Sequence, residues 1–219
     1  MDFGDDNSGP NDVGDRFQDA QNKFDKNTKG RRLTKDDVDE TKGAVMLKRK
    51  GTLKKELQEV KMDDFKIMMV LGRGAFGKVF LAELKHNKQL YAIKSIRKDI
   101  LIEMDQVEST LLEKDIMFEC DNIFLVGMEY LFQSDLRLYF VMPFVRGGEL
   151  YKIYESQKRF DEATVRFYAA QLAVAIGYLH SKGIAHRDLK LENILVDQDG
   201  YLKIIDYGLA KMLKDDDES

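Results

Sequence analysis

The 219 residues carry a net charge of −4, with 35 Lys and Arg against 39 Asp and Glu, which argues against non-specific binding to nucleic acid. A chain that is 43% hydrophobic and 34% charged has the balance of a soluble globular protein, and no apolar run nears the ~18 residues needed for a membrane span. Its one cysteine, Cys120, excludes an intramolecular disulfide framework, and residues 1–10 are acidic where a secretory signal is basic and then apolar, so a cytoplasmic or nuclear location is expected.

Residues 1–50 are rich in Asp, Asn, Lys and Gly and too poor in apolar residues to cover a core, so they read as a disordered charged tail. Within it, residues 24–38 resemble a calcium-binding loop, with Asp25, Asn27 and Gly30 at the first, third and sixth positions. Lys29 stands where the fifth ligand belongs and Asp36 replaces a bidentate glutamate, so a charged linker is the preferred reading. Residues 51–64 continue the basic cluster LKRKGTLKK; Leu53, Leu57 and Val60 are spaced for one face of a flanking helix, with Thr52 as its candidate N-cap.

From Phe65 the pattern becomes that of strands, expected over residues 65–71, 78–84 and 89–96. Gly72, Gly74 and Gly77 mark the first turn, where missing side chains let backbone N–H groups face an anion. A glycine pattern alone is weak, because dinucleotide-binding folds use one before a helix; here strands flank it on both sides. Lys94 ends the third apolar run and needs an anionic partner. Residues 106–118 form a helix offering two candidates, Glu108 and Glu113. Two more strands are expected at 124–131 and 138–142, a helix after Gly147, Gly148 and Glu149, and a long helix at 162–181, capped by Asp161 and stopped by Gly183. That last helix is apolar on nearly every side, as in a helix buried all round. Two short apolar runs, 194–196 and 202–205, then flank a turn at Asp199 and Gly200: a β-hairpin with His186, Arg187, Asp188, Lys190 and Asn193 before it and Asp206, Tyr207 and Gly208 at its end.

The two motifs occur in the order found in protein kinases, as do the glycine loop and the YAIK run at residues 91–94. Over residues 65–211 the chain resembles a eukaryotic protein kinase of the AGC group, similar to protein kinases A, B and C. The resemblance implies an α+β protein-kinase-like fold: a five-stranded antiparallel N-lobe sheet plus the αC helix (106–118) over residues 65–142, then a hinge and an incomplete helical C-lobe over 143–219. It implies an ATP-dependent serine/threonine kinase using Mg2+. Asp188 would orient the substrate hydroxyl and accept its proton, and Lys190 would neutralise the transferring phosphoryl group. Asn193 and Asp206 would hold the metal, Lys94 would grip the α- and β-phosphates, and Glu113 would pair with Lys94. Leu71, Gly72, Gly74 and Gly77 would cover the nucleotide, Val79, Ala92 and Leu195 would enclose adenine, and Met142, as gatekeeper, and Val145 would line the hinge. Pro143 departs from the acidic residue usual there and offers only a carbonyl.

Glu149 is placed for a ribose hydroxyl or, with Glu192, for arginine upstream of the phosphoacceptor, so protein substrates with upstream Arg or Lys are the implied partners, together with an upstream activating kinase. Arg49, three residues before Thr52, gives the basic segment a second reading as a phosphoacceptor site beside that of a solvated turn. Tyr207 stands where phenylalanine is usual; its hydroxyl, if buried alone, would cost about 1–3 kcal/mol. The chain stops at residues 214–219, inside what would be the activation loop, so the resemblance implies an incomplete kinase or, alternatively, a truncated homologue with poor catalysis that binds ATP or a partner.

Overall fold

Alternating apolar residues between Phe65 and Arg97, broken by glycine and by the Lys85 to Lys88 turn, produce three consecutive strands in the computed structural model, which describes residues 60–213. They are β1 (Phe65–Gly74), β2 (Gly77–Leu84) and β3 (Leu90–Arg97). With β4 (Tyr130–Gln133) and β5 (Arg137–Pro143) they make an antiparallel five-stranded sheet in the order β1-β2-β3-β5-β4. The register pairs Val79 with Lys94 and Ala92 with Met142, so these four side chains share one face. A one-residue slip would carry Lys94 to the opposite face, where Ala82, Tyr91, Ile93 and Val141 form a separate core under Val60 and Phe65.

Helices α1 (Lys98–Glu103) and α2 (Val107–Glu119) cover the inner face. Leu111, Ile116 and Met117 of α2 join Leu131, Leu138 and Phe140 of the sheet in a core that runs on through Ala175, Leu179, Ile204 and Tyr207 of the second lobe. That lobe contains α3 (Leu150–Gln157) and α4 (Glu162–Ser181), the hairpin β7 (Ile194–Val196) and β8 (Leu202–Ile204), and the short pair β6 (Ile184–Ala185) and β9 (Lys211–Met212). Asp161 caps α4, its carboxylate accepting from the Thr164 N–H at 2.7 Å, and Gly183 follows the helix at φ +68°, a conformation that favours glycine.

The structure corrects several expectations. The strand expected at 124–131 lies instead at Tyr130–Gln133. Upstream of it, the backbone of Phe124 and Val126 bonds to Ile204, so this apolar run is tied to the hairpin of the second lobe rather than to the sheet. β1 extends through Gly72 and Gly74, which places both glycines in the ladder with β2. The helix α1 had no clear signal in sequence. α4 is not buried all round: Gln171, Ala175 and Leu179 are buried, but Val165, Phe167 and Val174 are about half exposed among the described residues. The expected charged tail at 1–50, the calcium-like loop, the helix through Thr52 and the acidic residues 214–219 lie outside the described residues, apart from Val60, which is buried.

Candidate active site

The two ends of the hairpin and the inner face of the sheet converge on one cleft. A cavity of about 390 Å³ is walled by Leu71, Val79, Ala92, Met142, Val145 and Leu195, with Lys94, Glu113, Glu149 and Asp206 supplying charge. Met117, Val126 and Ile205 also line it, although in sequence each looks like an ordinary core residue until the two lobes are brought together.

Lys94 Nζ donates to Glu113 Oε1 at 2.5 Å and lies 3.7 Å from Asp206 Oδ1. The structure therefore brings Glu113 to the lysine and leaves Glu108 in the first turn of α2, without a bond to Lys94. Burial would pull the Lys94 ammonium down, but the carboxylates of Glu113 and Asp206 outweigh it and hold the group above its ordinary range.

Below the cleft, Lys190 Nζ donates to Asp188 Oδ2 at 2.7 Å and Asn193 Nδ2 donates to the same oxygen at 2.9 Å. The Asn193 amide also reaches the Asp188 carbonyl at 2.9 Å, which fixes the turn before β7. Lys190 first, then Asn193, stabilise the ionised carboxylate and lower the Asp188 pKa below the usual carboxylate range. Lys190 and Asn193 thus both bond to Oδ2, and neither of these bonds uses Oδ1. Arg187 and Asp206 both sit in the left-handed region, at φ 64° and 63°. Non-glycine residues held there store strain, which accumulates at functional sites.

His186 is buried behind this loop. Its Nδ1 accepts the Asp188 N–H at 3.3 Å, which leaves Nε2 as the protonated nitrogen, facing the Ile205 carbonyl at 3.3 Å. The neutral ring thus ties the loop before the hairpin to the segment after it, and burial lowers its pKa. The unfolded chain takes up a proton that the folded ring refuses, so stability is expected to fall as pH drops below about 6.5 towards the folded value. Urea midpoints at pH 7.5 and 5.5 measure this, and His186→Phe should shrink the difference. Tyr207 packs its ring on His186, and its hydroxyl donates to the Ile204 carbonyl at 3.1 Å, so the unpartnered burial feared from sequence does not arise.

The glycines divide into two kinds. A Cβ on Gly72 or Gly74 would meet nothing within 4 Å, so the protein's own packing does not demand glycine there. At Gly77 a Cβ would run into the Ser95 carbonyl of β3. Gly77→Ala should therefore cost about 1–3 kcal/mol by forcing the two strands apart, whereas Gly74→Ala should stay within about 0.5 kcal/mol. Chemical denaturation of both variants checks this; equal losses would contradict it.

The chain matches a protein kinase domain over residues 65–219 and belongs to that family. It is 46% identical over 152 residues to the serine/threonine-protein kinase akt-2 of Caenorhabditis elegans, covering 69% of this chain and 29% of that protein. It is 44% identical over 155 residues to the RAC serine/threonine-protein kinase of Drosophila melanogaster (71% and 25%) and 46% identical over 151 residues to protein kinase C eta type of Mus musculus (68% and 22%). These relatives place it with the serine/threonine kinases of the AGC group, and the chain spans less than a third of the length of each of the three. Among the described residues no helix is long and apolar enough to cross a membrane.

Proposed function

We propose that the cleft binds ATP with Mg2+ and that the site transfers the γ-phosphoryl group to serine or threonine hydroxyls of protein substrates. The observation that carries this reading is the joining of Lys94 on the sheet to Glu113 on α2 and to Asp206 on the second lobe, which concentrates one cation and two carboxylates at the inner end of an apolar slot. The apolar walls suit a purine. The open space over Gly72 and Gly74 suits close approach by phosphates.

The donor set also fits magnesium. No group of three or more His, Cys, Asp or Glu among the described residues could enclose a metal, and Mg2+ is ordinarily held by one or two carboxylates, phosphate oxygens and water. Asp206 offers its carboxylate, and Asn193, whose nitrogen serves Asp188, offers its amide oxygen. When bound, the metal neutralises charge on the phosphate oxygens. Lys94 would hold the α- and β-phosphates. Asp188 Oδ1 would orient the substrate hydroxyl and accept its proton as the oxygen–phosphorus bond forms and the bond to ADP breaks. With its pKa lowered by Lys190 and Asn193, Asp188 is a weak base, so it acts mainly by orientation and takes the proton late. Lys190 balances the charge gathering on the phosphoryl oxygens. A cytoplasmic or nuclear location fits this role.

Thermal unfolding with and without Mg-ATP tests the binding step. At a hundred times Kd the nucleotide should add about 2.7 kcal/mol of stability. Mass spectrometry of a serine peptide with an upstream arginine, incubated with Mg-ATP, tests transfer. A melting curve unmoved by millimolar Mg-ATP overturns the nucleotide site. Binding without transfer leaves the alternative of a regulatory ATP-binding homologue.

A further inference from the structure

Glu149 and Glu192 both line the mouth of the cleft, where they are proposed to meet an arginine of the substrate. Glu149, however, already has a cation. Lys152, three residues on in α3, donates from Nζ to Glu149 Oε1 at 2.9 Å, and it lines the same mouth together with Arg146. In the free protein the rim therefore carries two cations against two carboxylates. The acidic character that the sequence suggested for this corner is largely cancelled.

We propose that Lys152 is a specificity-determining residue: it acts as an internal competitor for Glu149, which a guanidinium of the substrate must displace. This rests on the kinase reading of the site. A guanidinium binds a carboxylate best through two parallel N–H···O bonds, using both oxygens, whereas an ammonium is a mobile and strongly hydrated point charge. Arginine can therefore take Glu149 from Lys152 by better geometry, while a substrate lysine offers nothing that Lys152 does not. The side chain of Lys152 is 68% exposed and that of Glu149 35%, so the displaced ammonium returns to water with little penalty. Such a pair screens Glu149 without locking it. The predicted result is a site that discriminates arginine from alanine less sharply than an unpaired glutamate would.

Exposed ion pairs of this kind change binding by at most about fivefold, which sets the size of the effect. Two serine peptides differing only by arginine or alanine at the upstream position would be measured by fluorescence anisotropy, which needs no turnover, and by initial rates. Lys152→Met should widen the arginine-to-alanine ratio of Kd about two- to fivefold, with the change appearing in KM rather than kcat. Lys152→Arg should restore a ratio no wider than the original. Glu149→Gln should erase most of the discrimination and make Lys152→Met silent on that background. A Lys152→Met variant that shifts both peptides equally, or neither, overturns the inference, as does a wild-type chain that binds neither peptide. Failure of phosphoryl transfer with the anisotropy ratios intact instead sinks the catalytic reading and leaves the role of Lys152 standing.

Discussion

Lys94→Met is expected to abolish the Mg-ATP thermal shift and to destabilise the protein by about 3 kcal/mol, the lower end of the range for breaking a buried ion pair, because the lysine side chain is still 25% exposed. The loss arises mostly at Glu113, which is 4% exposed and would be left buried without its cation. In the native protein the sign runs on the cation: the raised Lys94 pKa means its contribution is complete below about pH 10.4 and is lost only as pH rises through the folded value. The double variant Lys94→Met with Glu113→Gln should recover much of the stability but none of the nucleotide shift. Urea unfolding of the single and double variants, with Mg-ATP melts, gives the full cycle. A double variant as unstable as the single one would show that the pair is not the cause.

Asp188→Asn is expected to lower the rate of phosphoryl transfer by about a hundred- to ten-thousandfold while leaving the Mg-ATP shift near its native size. The amide keeps the shape of the side chain. It loses the charge that Lys190 and Asn193 converge on at Oδ2, and with it the carboxylate proposed to accept the substrate proton. Because Lys190 and Asn193 hold the native carboxyl below the usual range, Asp188 itself should produce no acidic limb in the rate above about pH 4. Single-turnover measurements separate this step from product release. Retention of more than a tenth of the native rate would remove Asp188 from the reacting centre.

Local pattern was enough for much of the architecture. Apolar alternation bounded by turn residues located β1, β2, β3 and the hairpin, and an Asp161 cap with a Gly183 stop bounded α4, because each signal acts within a few residues of the chain. The motif residues at the ends of the hairpin were legible for the same reason: their spacing is set by a tight turn. What only the tertiary structure decided involves partners far apart in sequence. The apolar run before β4 resembles a strand, but its backbone partner is Ile204 in the other lobe, and no local periodicity distinguishes that pairing from one in the sheet. Periodicity alone leaves Glu108 as a competitor to the Glu113 that the resemblance prefers; the rotation of α2 against β3 brings Glu113 to Lys94. Gly77 looks identical to Gly72 and Gly74 until the approach of Ser95 is known, and Glu149 looks like a free acidic reader until Lys152 is found on it. The sequence by itself thus located most of the elements, the family and the candidate site residues. Packing between the lobes determined which of those groups touch, because a contact depends on the positions of two elements at once and each element's own sequence reports only one of them.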